Sequence, residues 1–189
     1  MRFVKLREVF PGDKIEEKLT KSLGIHKDRA YVHGVLCRVS NHLFVMSKTK
    51  RYTPFIDDLV IGRIQYVSGD FYRVDLGTTT GILPSLAFTN ASKRNKPELK
   101  KDDYVFCKVE KVGVEPLLSC VGEGFGLIEG YVFGIEVWRS QWLYMSNRLF
   151  EVGQRYKFKM AVGVNGFVSI VGDNPESVRE IYELINSNK

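Results

Sequence analysis

Asp57-Asp58-Leu59-Val60-Ile61-Gly62-Arg63-Ile64-Gln65-Tyr66-Val67, then Ser68-Gly69-Asp70, then Phe71-Tyr72-Arg73-Val74-Asp75-Leu76-Gly77, is the stretch on which the fold turns. The first eleven residues are β-rich with partial alternation, which predicts a long strand. Ser68-Gly69-Asp70 is a short hairpin-type turn, and Phe71–Leu76 is a second strand that Gly77 ends. Gly81-Ile82-Leu83 reads as a short third strand closed by Pro84. Farther on, the residues from Asp102 to Val112 repeat the design of the first strand. Strand, hairpin, short strand, irregular stretch and strand over about sixty residues is the pattern of a small closed barrel of the OB kind. Alternation puts Phe71 and Arg73 on one face and Tyr72 and Val74 on the other, and the sequence leaves open which pair lies inside.

Outward from this unit, Thr53-Pro54 marks the joint on the N-terminal side and Gly122-Glu123-Gly124-Phe125-Gly126 reads as a joint on the other. The expected domains are therefore 1–52, 53–121 and 122–189. In the first, Phe10-Pro11-Gly12-Asp13 is a turn. Tyr31 to Leu36 and His42 to Met46 are β-rich pieces separated by Arg38-Val39-Ser40-Asn41, so a small β domain is expected. In the last, the pattern predicts a strand over 130–137, a helix from Trp138 to about Leu149, strands over 156–162 and 167–171, and a closing helix. Asp173 or Asn174 can cap that helix and Pro175 fits its first position. Val178, Ile181, Tyr182 and Ile185 form an apolar stripe that must pack on the preceding strands. The fold class is mixed: mainly β, with a final α+β domain.

The chain has 189 residues, 44% of them apolar and 26% charged, which excludes collagen-like, coiled-coil and wholly disordered classes. The opening Met1-Arg2-Phe3-Val4-Lys5-Leu6-Arg7-Glu8 carries charges where a secretory signal needs its apolar core. The expectation is a chain neither exported by that route nor anchored by a membrane span. Cys37, Cys107 and Cys120 lack the spacing of a disulfide framework or a zinc site and read as free thiols. Residues 1–52 carry 12 Lys/Arg against 5 Asp/Glu, a net of +7 that exceeds the +6 of the whole chain. Such asymmetry suits a polyanion or an acidic partner at that end, or a solubilising basic face.

Catalytic motifs are missing. No nucleophile elbow, phosphate-binding loop or H-E-x-x-H occurs, and His26, His33 and His42 are bracketed by no acidic or thiol constellation. Asp57-Asp58 and Asp102-Asp103 are adjacent on strands and point to opposite faces, so they suit turns better than a shared ion. No cofactor or metal is expected. Nucleic-acid signals are present instead. Phe71, Tyr72 and Arg73 fall on the second strand, where rings can stack on unpaired bases. Lys93-Arg94-Asn95-Lys96-Pro97 is a basic loop suited to phosphates or an acidic protein. Gly163-Val164-Asn165-Gly166 satisfies the G-x-x-G pattern of KH domains, yet lies between two predicted strands with no basic residue inside. A structural role is the better reading.

Asp57–Ile64 with Gly69–Gly77 resembles the S1 RNA-binding domain of RNA exosome cap subunits. Leu86-Ala87-Phe88 and Ala91–Pro97 are similar to the segment typical of the component-three type, and Gly163-Val164-Asn165-Gly166 matches the G-x-N-G of that family's KH domain. The resemblance covers about residues 53–189, and more loosely Pro11-Gly12-Asp13. It implies a small N-terminal domain, an S1 barrel and a KH-type domain in a non-catalytic subunit. Such a subunit sits with other cap subunits on a ring of RNase PH-like proteins and guides single-stranded RNA toward a separate nuclease. It works in the nucleus, nucleolus included, and the cytoplasm. The resemblance implies that G-x-N-G packs between domains and that the S1 face looks toward the RNA. The alternative from the residues is a free-standing S1-type translation or ribosome factor.

Overall fold

The computed structural model describes residues 3–17, 21–39, 42–146 and 148–186. The chain opens with β1 (Phe3–Val9), β2 (Lys21–Leu23), the pair β3 (Ile25–His26) and β4 (Arg29–Ala30), then β5 (Gly34–Val39) and β6 (His42–Met46). β1, β5, β6 and β2 form one sheet in that order, with β2 parallel to β6. Alternation divides its side chains between two cores. Leu23, Cys37, Val39 and Phe44 join the core of the neighbouring barrel, while Leu36, Leu43 and Val45 close a small core with Val9, Ile15, Ile25 and Ala30. The strand expected from Tyr31 starts instead at Gly34 and runs through Arg38 and Val39. Tyr31 is held in the turn before it, its N–H donating to Gly24 O and its hydroxyl accepting from Gly24 N–H.

The barrel follows with β7 (Leu59–Val67), β8 (Phe71–Asp75), β9 (Thr80–Pro84), β10 (Tyr104–Lys111) and β11 (Leu117–Ser119). β7 pairs with β8 and β10, β8 with β9, and β10 with β11, all antiparallel. A parallel bridge from Leu117 to Ile82 joins β11 to β9 and closes the cylinder. The circular order β7-β8-β9-β11-β10 is the closed five-strand arrangement of OB and S1 barrels. Val60, Ile64, Tyr72, Val74, Leu83, Val105, Cys107, Val109 and Leu118 fill it. Gly62 lets β7 and β8 close up, since a Cβ there would lie 2.3 Å from Val74 Cγ1.

The two acidic pairs open their strands as turns. Asp57 and Asp102 take positive φ (68° and 73°), a conformation that aspartate tolerates better than most residues. Asp58 and Asp103 each accept the backbone N–H three residues back, from Phe55 and Lys100. The strands proper thus start two residues later than the alternation suggests.

Gly122–Gly126 is not a free joint. Phe125 stacks on Phe106 at 5.2 Å, and β12 (Gly126–Leu127) pairs with β10, so the barrel sheet continues past residue 121. Beyond it come β13 (Tyr131–Gly134), α1 (Val137–Met145), α2 (Arg148–Gly153), β14 (Phe158–Val162), β15 (Phe167–Gly172) and α3 (Pro175–Asn186). The helix expected over 138–149 is two helices, because Ser146 leaves helical geometry with ψ at 166°. The expected strand also ends earlier, at Gly134, with Glu136 extended ahead of α1. β13, β15 and β14 form an antiparallel sheet with β15 central. Asn174 caps α3 by accepting from Ser177 N–H at 2.7 Å, and Val178, Ile181 and Ile185 bury in one core with Leu143, Val152, Val168 and Ile170. Each such aliphatic side chain contributes roughly 1.5–3 kcal/mol when fully buried. Among the described residues no helix is long and apolar enough to cross a membrane.

Candidate nucleic-acid interface

On β8 the open question of alternation is answered. Tyr72 and Val74 point into the barrel, Phe71 is half-buried and Arg73 is exposed. Tyr72 is 3% exposed, packs edge-on against Phe88 and donates its hydroxyl to Pro97 O at 2.7 Å. The expectation that Tyr72 offers its ring to a base is therefore corrected: both of its faces are inside. The outward aromatic partner of Phe71 is Tyr66, 56% exposed, with ring centroids 6.4 Å apart. Simple alternation from Ile64 would have turned Tyr66 inward. A register shift between Ile64 and Tyr66 turns it out and sets it opposite Arg73. A single sequence offers no clear signal for such a bulge.

The basic loop docks on the same hairpin. Ser92 and Asn95 exchange backbone hydrogen bonds of 2.8 and 3.1 Å, which leaves Lys93 and Arg94 exposed at the tip of a tight turn. Lys96 Nζ donates to Gly69 O in the β7–β8 turn. With the Tyr72–Pro97 bond, this ties residues 92–97 to the turn that carries Phe71. Arg73 Nη2 lies 3.4 Å from Glu115 Oε1 of the β10–β11 hairpin, and Arg63 is flanked by Asp75 at 3.8 Å and Asp102 at 3.7 Å. The result is a surface of two aromatic rings bordered by cations, suited to stacking and phosphate contact.

Gly163-Val164-Asn165-Gly166 lies elsewhere, in the seam between the barrel and the C-terminal sheet. Asn165, 5% exposed, accepts from Ile61 N–H at 3.1 Å and donates through Nδ2 to Ile61 O at 2.7 Å and Leu76 O at 3.1 Å. Val164 N–H donates to Leu59 O, and Gly166 N–H donates to Ser140 Oγ. Gly166 needs its positive φ of 91°, and a Cβ there would meet Ile135 O at 2.8 Å. In a KH clamp the gripping loop stands between two helices. Here the α1–α2 junction reads Met145-Ser146-Asn147-Arg148, without glycine.

Among the described residues no cluster of three His, Cys, Asp or Glu converges on a metal-sized site. His33 pairs with Glu8 at 3.0 Å, and His26 packs edge-on against Phe55. Burial pushes the Cys37 thiol up to about 11, and Cys107, with Cys120 beside it, is raised as well. Neither is a thiolate near neutral pH. Asp58 is buried where the N-terminal sheet meets the barrel, accepting from Tyr52 OH at 2.8 Å and Phe55 N–H at 2.9 Å. Burial raises its carboxyl to about 6 despite both bonds.

A family model described as the S1 domain of exosome complex component RRP40 matches residues 52–131, a span that takes in the five barrel strands and β12. A Dictyostelium discoideum protein described as exosome complex component rrp40 is 32% identical over 168 residues, covering 82% of this chain and 71% of the relative. The chain belongs to the exosome complex component RRP40 family. RRP40 proteins of Drosophila melanogaster and Saccharomyces cerevisiae are 32% and 30% identical over 149 and 156 residues, covering 73% and 75% of this chain. The chain spans 63% and 65% of their lengths, less than two thirds. A crystal structure of an exosome complex RNA-binding protein superposes with a TM-score of 0.58 and 25% identity, over 74% of this chain and 88% of that one. Membership of the RRP40 family does not favour the free-standing translation factor.

Proposed function

We propose that this chain is a non-catalytic cap subunit of the RNA exosome. It steadies a ring of RNase PH-like subunits, alongside other cap subunits, and guides single-stranded RNA toward a separate 3′–5′ nuclease. The observation that carries this reading is the docking of residues 92–97 on the β7–β8 turn, which brings Lys96 to the turn beside Phe71 and holds Lys93 and Arg94 exposed at the loop tip. Rings and phosphate-binding cations give sequence-tolerant, salt-sensitive affinity, as a conduit for varied RNA requires. Residues 1–52 serve as the N-terminal domain, the S1 barrel runs from residue 53 through β12, and the rest is a KH-type domain whose G-x-N-G is structural. A role in the nucleus, nucleolus included, and the cytoplasm goes with this reading.

The experiment is affinity capture from the native cell at moderate salt, followed by mass spectrometry. A stoichiometric set of RNase PH-like proteins is expected. Ribosomal proteins, or no companions, would overturn the assignment.

A further inference from the structure

The β10–β11 hairpin holds a feature that RNA guidance alone does not explain. OB barrels bind strands across their second and third strands and through the loops joining strands one to two and four to five. Here those are β8, β9, the Ser68–Asp70 turn and residues 112–116, the second of these loops bearing Val114, 97% exposed. Thr79 Oγ1 donates to Val114 O, and Ile82 N–H donates to Pro116 O at 2.8 Å, so the hairpin is tied against β9. Glu115 extends from it to Arg73, with side chains 42% and 48% exposed. Arg73 shares the outward face of β8 with Phe71, and its neighbours in register are Tyr66 and Ile82. A carboxylate thus occupies the guanidinium that stands beside the aromatic platform, on the surface where a phosphate would arrive.

We propose that Glu115 is a displaceable stand-in for an RNA phosphate: its ion pair with Arg73 keeps this part of the S1 face closed until a strand supplies a phosphate in its place. The inference rests on the reading of this face as the RNA surface. Exposed ion pairs are weak enough to be exchanged, and a guanidinium takes phosphate oxygens in the geometry it offers a carboxylate. The exchange raises the threshold for stray anions and favours a strand that also stacks on Phe71 and Tyr66, because stacking fixes the phosphate at Arg73.

The test is a double-mutant cycle on the full chain, read by fluorescence anisotropy of a short labelled oligouridylate at low salt. Glu115→Gln is expected to tighten binding about three- to fivefold, the scale of one exposed ion pair. In an Arg73→Gln background the same change is expected to do nothing. A gain that persists without Arg73 would make Glu115 a general repulsive charge and overturn the proposal, as would no gain in either background. Phe71→Ala and Lys96→Glu separate the two readings. If both weaken binding while the cycle is additive, the exchange fails alone. If neither changes binding, the RNA surface fails, and the exchange with it.

Discussion

Asp58 shows what a single buried carboxylate does to this molecule. Its oxygen ties Tyr52 and the Phe55 N–H into the turn before β7, yet burial holds its carboxyl at about 6 against an ordinary 3.8. The native state therefore binds this proton more tightly than the unfolded chain. Its contribution to stability is complete below about pH 4, falls as pH rises toward 6 and is level above. A difference of about two pH units corresponds to roughly 3 kcal/mol. The substitution Asp58→Asn would keep an acceptor for both donors and carry no titration. Urea unfolding of wild type and Asp58→Asn from pH 4 to 7 should show the wild type losing on the order of 2–3 kcal/mol relative to the variant. Parallel curves would mean that Asp58 ionises freely in the folded chain. The same carboxyl geometry recurs at Asp103, whose partner is Lys100 N–H.

At the scale of elements, the loop 92–97 divides its labour. Lys93 and Arg94 project from the Ser92–Asn95 turn, whereas Lys96 also fastens the loop to Gly69. Lys93→Glu with Arg94→Glu should weaken RNA binding and flatten the salt dependence by ~0.7 per lost phosphate contact, with thermal stability unchanged. Unchanged affinity and slope would remove the tip from the RNA path. Adding Lys96→Glu should lower the melting temperature too, since it releases the loop from the hairpin. How much of this is legible in the sequence varies by element. β11, three residues long, is too short to show alternation, whereas β7 to β10 and α3 follow from alternation, punctuation and a cap, all local signals. The long edge strand β1 does not, because its residues Phe3-Val4-Lys5-Leu6-Arg7-Glu8-Val9 mix charge and apolar character, with one neighbouring strand, β5, and a bulge at Lys5–Arg7. Tyr66 is hidden by the bulge in β7, and the α1–α2 break is hidden because Ser146 carries no glycine or proline signal. Tyr72 reads as a candidate ligand from sequence because alternation gives two faces without saying which is wet.

For the whole molecule, the seam between barrel and C-terminal sheet depends on one short loop. Asn165 satisfies two carbonyls and one N–H of barrel backbone, and Gly163 permits the approach, since a Cβ there would lie 2.7 Å from Ile61 N. Removing the amide leaves these buried groups unpaired at about 1–3 kcal/mol each, tempered where water can enter. Asn165→Ala should therefore cost on the order of 3–5 kcal/mol. Because the lost bonds all cross the seam, calorimetry should show the C-terminal unit melting ahead of the barrel instead of with it. RNA affinity measured below both transitions should stay at the wild-type value, since Tyr66, Phe71 and the 92–97 loop belong to the barrel alone. The opposite pattern, intact cooperative melting with weakened RNA binding, would make Gly163–Gly166 a contact for the strand. Coupling of the two units through Asn165 has a consequence for assembly as well. On the proposed function, the part that grips the ring and the part that lines the RNA path must be held at a fixed angle. A buried amide bonded to both β7 and the end of β8 holds it in a way that apolar packing, which tolerates sliding, does not.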